Sequence, residues 1–120
     1  MFDLAIDHYD RNGVEVVELS GDIDVHTGDD LRSLLTELDA AGVTRIVVDL
    51  CMVQYVDSTG LGILLAALKR AHARGGFVCL VVARPNLARM LEITGLAAVF
   101  GVSGSVSEAL AARPREVPVG

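Results

Sequence analysis

Phe2, Leu4 and Ile6 alternate with Asp3, Ala5 and Asp7, the period of a strand with one face buried. Asn12-Gly13 then supplies a hairpin turn signal. "VEVVELS", from Val14 to Ser20, reads as the returning strand, ended by Gly21. From Leu31 the period changes. Leu31, Leu34, Leu35, Leu38 and Ala41 form one apolar stripe at helical spacing, and Gly42 stands where a left-handed terminator belongs. Ahead of this helix, Thr27 and Asp30 fit a capping box.

Two nearly continuous β-branched runs follow, Thr44 to Leu50 and Phe77 to Ala83. They have the composition of strands buried on both faces. Between them the pattern predicts a helix over 59–74, closed by Gly75-Gly76. Leu61, Leu64, Leu65 and Leu68 form its expected inward stripe, with His72 on the extension. Thr59, Ile63, Ala66, Ala67 and Arg70 are expected to face outward. Pro85 opens a further helix, which Gly95 ends. "AAVF" (97–100) reads as a short strand. Ser105 and Glu108 cap a last helix running to Ala112, and "RPREVPVG" (113–120) reads as a flexible C-terminal tail. Strand-helix alternation implies parallel neighbours with right-handed crossovers. The expected fold is α/β: one small mixed sheet of about four to five strands with an N-terminal hairpin, packed with about four helices.

Composition narrows the function. The chain has 120 residues, 52% of them hydrophobic, and a net charge of -6, which suits one compact domain with its own core. The only basic cluster is Lys69, Arg70 and Arg74, too little for a phosphate backbone. With 4% aromatic residues and no Trp, stacking platforms for single strands are not expected. Cys51 and Cys79 lie in or beside strand-like runs without metal-ligand spacing and read as buried reduced thiols. The N-terminus has no secretory pattern, and no run reaches the ~18 apolar residues of a membrane span. The expected location is cytoplasmic.

The chemistry concentrates in "VDSTGLG", 56–62. Ser58 precedes a helix and can cap it. It can also be a nucleophile or an acceptor of modification. Nucleophilic attack needs a base, and His72 lies too far along the same helix. The segment is not a G-x-S-x-G elbow, and neither a P-loop nor a G-x-G-x-x-G motif occurs. Asp22, Asp24 and Asp57 lack recognisable metal spacing, so no metal or cofactor is expected. As an acceptor, Ser58 would place a phosphate at a helix N-terminus, where free N–H groups and the dipole favour an anion. Gly60 and Gly62 cost helix stability and suggest close approach to the backbone. Ile63 and Ala66 make the outward face beside Ser58 unusually apolar, as a docking surface would be.

Taken together, "GDIDVHTGDDLRSLL", "IVVDLCMVQYVDSTGLGILLAALKRA" and "GGFVCLVVARPNLARMLEITGLAAVF" resemble a STAS domain of the anti-sigma-factor antagonist type, over about residues 3–112. The most specific part is D-S-[ST]-G-L-G, backed by G-[DE]-[IL]-D and a later helix ending T-G-L. The resemblance implies a STAS domain over 1–112, followed by the tail. It implies a non-enzymatic antagonist that binds an anti-sigma factor with GHKL-type serine kinase activity and so frees a sigma factor. Phosphorylation at the position of Ser58 would release the partner, and a PP2C-type phosphatase would reset the switch. It places Asp24 at the surface near the phosphorylation site. The expected contact surface comprises Asp22, Asp24, Thr27, Asp57, Thr59, Gly60, Gly62, Ile63 and Ala66. Gln54 and Tyr55 depart from the usual apolar pattern, and Cys51-Met52 from a commonly polar turn; both bear on partner choice. The alternative is a non-switching STAS scaffold of a stress-signalling or transport complex.

Overall fold

The computed structural model describes residues 3–112; Phe2 and the expected tail at 113–120 lie outside the described residues. Strand β1 (Ala5–Arg11) turns through Asn12 and Gly13 into β2 (Val14–Ile23). Asn12 at φ 55° and Gly13 at φ 84° adopt the paired left-handed conformation of a tight hairpin, as expected of Asn-Gly. Helix α1 (Gly28–Ala40), β3 (Arg45–Val56), α2 (Ser58–Ala73), β4 (Phe77–Val81), α3 (Pro85–Ile93), α4 (Leu96–Phe100), β5 (Val102–Ser103) and α5 (Val106–Ala112) follow. The sheet order is β1-β2-β3-β4-β5. The first pair is antiparallel and the rest are parallel, so the mixed α/β sheet holds.

Helices α1 to α4 share one core with Val17, Leu19, Ile46, Val48, Leu50 and Leu80 of the sheet. Ala109 of α5 packs on the opposite face with Val14, Val16, Val47, Phe77 and Val81. The central strands β2, β3 and β4 thus send alternate residues into two cores, which explains the unbroken β-branched runs.

Three elements and one cysteine differ from expectation. β2 does not stop at Gly21 but continues to Ile23. Register shifts lie on either side of it, and Gly21 holds φ 118° with the carbonyl of Asp3 where a Cβ would sit, at 2.4 Å. Glycine here marks a bulge rather than an end. β3 extends six residues past Leu50 to Val56. Its polar and exposed positions, Met52, Gln54 and Tyr55, alternate with Val53 and Val56 in the core. Residues 97–100 are helical, not extended, because they bring Phe100 into the core at 1% exposure; so short an apolar run does not distinguish the two states. Cys79 is buried but Cys51 only half so. Burial, then a hydrogen bond to and the charge of Asp49, push the Cys51 thiol up to about 11.

The terminators and last cap behave as read. Gly42, Gly75 and Gly95 all take positive φ. Val43 N–H donates to the Leu38 carbonyl and Gly42 N–H to that of Asp39, closing α1 in a Schellman motif. At α5 the Ser105 hydroxyl accepts from Glu108 N–H.

Candidate functional site

The carboxyl ends of β2 and β3 carry the two loops that build the site. They are tied directly, Asp57 N–H donating to the Ile23 carbonyl at 3.0 Å. In the β2–α1 loop, Asp24 Oδ1 accepts from the amides of His26 and Thr27 at 2.8 and 3.0 Å. This is an Asx turn. The His26 amide foremost, with the contacts from Thr27, holds the Asp24 carboxyl below its ordinary value against the opposing effect of desolvation. Thr27 heads α1 but makes no side-chain cap. Its hydroxyl instead donates back to the Asp22 carbonyl at 2.6 Å and accepts from Asp24 N–H at 3.0 Å. The expected capping box is therefore absent: Thr27 braces the loop, because its χ1 can satisfy only one of the two arrangements.

At α2 the cap is Asp57, not Ser58. Asp57 is extended, with φ -90° and ψ -176°, and its Oδ1 accepts from Gly60 N–H at 2.9 Å. Oδ2 accepts from Val25 N–H at 3.2 Å. One carboxylate thus closes the helix start and pins the neighbouring loop. Ser58 is displaced into the first helical position, where it is exposed. Among the described residues, no hydrogen bond of its hydroxyl occurs. Replacing Asp57 with Ala is expected to cost about 1–2 kcal/mol, the worth of an N-cap, read as a lower urea midpoint at unchanged m. Ser58→Ala is expected to leave the unfolding free energy within about 0.5 kcal/mol of the parent, as for a surface change.

Helices α1 and α2 pack side by side, and the space between them at the α2 N-terminus is a cleft of about 310 Å³. Ser58, Thr59, Gly62, Ile63 and Ala66 line one wall, and Arg32 and Thr36 of α1 the other, with Arg70 further along α2. Arg32 pairs with Asp29 at 2.6 Å, while Arg70 lies 3.8 Å from Asp39. The rim beside Ser58 is therefore mixed in charge and not acidic. Asp24 and Asp57 are engaged by backbone amides, and Asp22 lines another opening.

The faces of α2 also differ from the leucine pattern. Ile63 is 5% and Ala67 4% exposed, whereas Leu61 and Leu65 are only half-buried and His72 is exposed. The buried arc is turned by roughly a quarter of the helix circumference towards α1. The reason is a neighbour that the single-helix pattern does not contain. α1 approaches closely at Gly28, where an added Cβ would lie 2.8 Å from Ile63 Cδ1. Ile63 is thus mainly interior packing at the floor of the cleft, and Ala66 remains exposed. Gly60 is buried too. A Cβ there would meet Ile23 and Val56 at 2.7–2.9 Å, so its close approach comes from the protein's own core. Gly62, by contrast, is exposed with nothing within 4 Å of a built Cβ.

Of the expected contact residues, Thr59, Gly62, Ile63 and Ala66 join Ser58 in the cleft. Asp24, Thr27 and Asp57 shape its approaches through the hydrogen bonds above, and Asp22 and Gly60 point elsewhere. Arg32 and Thr36 are additions from α1 that no motif signals. Among the described residues, no group of three or more His, Cys, Asp or Glu is placed to hold a metal ion, and no helix is long and apolar enough to cross a membrane.

A βαβ arrangement that presents a capped D-S-T-G-L-G turn at the carboxyl end of a mixed sheet is the arrangement of a STAS domain, and the family match agrees. The chain belongs to the STAS domain family, which it matches over residues 5–109. It is similar to an anti-sigma F factor antagonist of Paenibacillus polymyxa, 32% identical over 108 residues, covering 89% of this chain and 92% of the relative. It is similar to an anti-sigma-B factor antagonist of Staphylococcus aureus (strain NCTC 8325 / PS 47), 35% identical over 80 residues, covering 67% of this chain and 74% of the relative. Among solved structures, an anti-sigma factor antagonist from Mycobacterium paratuberculosis superposes with a TM-score of 0.83 at 30% identity, covering 92% of this chain and 93% of that one.

Proposed function

We propose that the protein is an anti-sigma-factor antagonist that docks an anti-sigma factor on the α1–α2 cleft and is switched by phosphorylation of Ser58. The observation that carries this reading is the division of labour at the helix start. Asp57 does the capping, so the exposed Ser58 hydroxyl is not needed by the fold and is free to be modified. The similar proteins named above are antagonists of anti-sigma factors, which supports the choice of partner. The proposed partner is an anti-sigma factor that also acts as a GHKL-type serine kinase, with a PP2C-type phosphatase removing the phosphate. ATP and its metal belong to that kinase; this chain acts by binding.

A phosphate on Ser58 is compatible with the local fold, since the first turn of a helix favours an anion, and Arg32 lines the same cleft. Its effect falls on the docked partner, as about -1.5 to -2 charges appear at the edge of the contact. Incubation with the kinase and ATP, followed by mass spectrometry, should place phosphate on Ser58. Phosphate found only on Thr59 or elsewhere would overturn the site. Equal partner binding by phosphorylated and unmodified protein would instead favour a constitutive STAS scaffold.

Gly62 gives an independent check. As an exposed helical glycine, it costs about 0.5–1 kcal/mol relative to Ala. Gly62→Ala is therefore expected to raise the unfolding free energy by that amount, read as a higher urea midpoint, while weakening partner binding, because the new methyl group projects into the cleft. Unchanged affinity would mean that the partner does not approach α2 at this turn.

A further inference from the structure

The sheet ends on β1 without a neighbour. β1 is an outer strand of the order β1-β2-β3-β4-β5, and among the described residues nothing pairs with its free side. β2 is the one element it packs against extensively, and α5 lies away from it over β3 to β5. Edge strands are commonly kept short, broken by a bulge, or blunted by Pro or Lys. β1 is seven residues long, contains neither Pro nor Lys, and keeps an unbroken register with β2 from Ala5 to Arg11.

The hairpin fixes which backbone groups of β1 are spare. The Asn12-Gly13 turn closes on the Arg11–Val14 pair, and from there bonded and non-bonded pairs alternate along the ladder. The amides and carbonyls of Tyr9 and Asp7 therefore go to β2, and those of His8 and Asp10 point to the free edge. The His8 amide agrees: it donates to Oδ1 of Asp7, its neighbour along the strand, at 2.9 Å. Beside these groups stand the charges of Asp7, Asp10 and Arg11. Among the described residues none of the three is in an ion pair.

We propose that the free edge of β1 pairs antiparallel with β1 of a second copy of this chain, about a two-fold axis at Tyr9, joining the two sheets into one. Charge complementarity selects this occupant. In that register Asp7 faces Arg11 of the second copy, His8 faces Asp10 of the second copy, and the two Tyr9 rings face each other. Opposite charges and aromatic pairs are favourable across strands. His8 and Asp10 exchange their spare backbone hydrogen bonds, and Asp7 gives up the His8 amide for a guanidinium. The adjacent registers that keep these bonds set His8 on His8, where no opposite charges meet, or Asp10 on Asp10, where like charges do. The charges that reject a misaligned strand thus admit one alignment. The two-fold closes the contact, so the product is a dimer and not a fibre. A strand this short buries less than the about 1,200 Å² of a standard interface, so the association is reversible. β2 separates β1 from β3, after which Ser58 stands, so the pairing does not rest on the phosphorylation reading.

Within one chain Asp7 and Arg11 lie about 13 Å apart along the strand, so a contact between them reports only pairing between copies. Sedimentation of the full chain from about 10 µM to 1 mM is expected to show a reversible monomer–dimer equilibrium. Asp7→Arg and Arg11→Glu, each alone, are expected to weaken it about tenfold or more, because each sets like charges opposite one another. An equimolar mixture of the two variants is expected to associate within about threefold of the parental affinity, since opposite charges then face each other throughout the mixed dimer. Amide hydrogen exchange on the parental chain gives a readout that needs no variant. The His8 and Asp10 amides are expected to gain protection as concentration rises, while those of Asp7 and Tyr9 stay as they are. A protein that remains monomeric to about 1 mM, a dimer that neither substitution weakens, no recovery in a mixture of the folded variants, or no gain of protection at His8 and Asp10 would overturn the proposal.

Discussion

Phosphorylation of Ser58 is expected to weaken binding of the anti-sigma factor by about 100-fold or more while barely changing the stability of the isolated domain. The second half follows from the helix start. Asp57 Oδ1 already accepts from Gly60 N–H, and the Asp57 carbonyl from Leu61 N–H. The amides of the first two helical residues remain for the phosphate, and an anion at this position stabilises a helix by about 0.3–1 kcal/mol. The first half follows from desolvation. A docked partner would cover a nearly dianionic group, and unfavourable charge placement in an interface costs several kcal/mol, against about 2.7 kcal/mol for a factor of 100. Ser58→Asp carries one charge on a shorter arm and is expected to cost about tenfold. Ser58→Ala should retain parental affinity and resist the kinase. Calorimetric titration of the three forms, paired with urea unfolding, checks both halves. A phosphorylated protein that binds within about threefold of the parent would sink the switch.

Gly76→Ala is expected to be the most damaging single methyl addition in the described chain, at about 3 kcal/mol or more. An added Cβ would lie 1.8 Å from the carbonyl oxygen of Thr44 and 2.6 Å from its carbon. Neither partner can yield. Gly76 N–H donates to the Ala71 carbonyl, which closes α2, and Phe77 N–H donates to the same Thr44 oxygen at 2.8 Å. The clash is with Thr44, whose carbonyl is fixed by the Phe77 amide at the start of the β3–β4 pairing, so relief requires shifting that register or the end of α2. Overpacking in a core commonly costs 1–3 kcal/mol, and backbone has less room than a side chain to adjust. Against a typical total of 5–15 kcal/mol, the variant should unfold at a much lower urea concentration, or accumulate as an insoluble product. A loss of unfolding free energy below about 1 kcal/mol would mean that the β3–β4 junction is far more plastic than its hydrogen bonds imply.

Much of the domain was legible because its signals are local. Asn12-Gly13 needs no distant contact to make its turn, and the glycines after α1, α2 and α3 end those helices by backbone conformation alone. The β-branched runs marked the central strands, although β3 continued past Leu50 because its outward positions alternate with core valines. The Ser58 region was legible as a motif. Its division into a capping Asp57 and a free Ser58 was not. Both residues are good caps in isolation, and the choice was made by Val25, whose amide recruits the second oxygen of Asp57 from 32 residues away. The leucine stripe of α2 misled for a related reason. It recorded where large apolar residues occur but carried no information about a second helix lying alongside.

What the sequence determined by itself was therefore the order and type of most elements, the family, and the place of Ser58 at a helix start. These follow from backbone preferences and periodicities that act over a few residues. The tertiary structure alone decided which side of α2 is buried, which residue caps it, and that Arg32 and Thr36 face Ser58 across the cleft. Each of these depends on groups distant in the chain meeting in space, where close packing and hydrogen-bond satisfaction outweigh local preference.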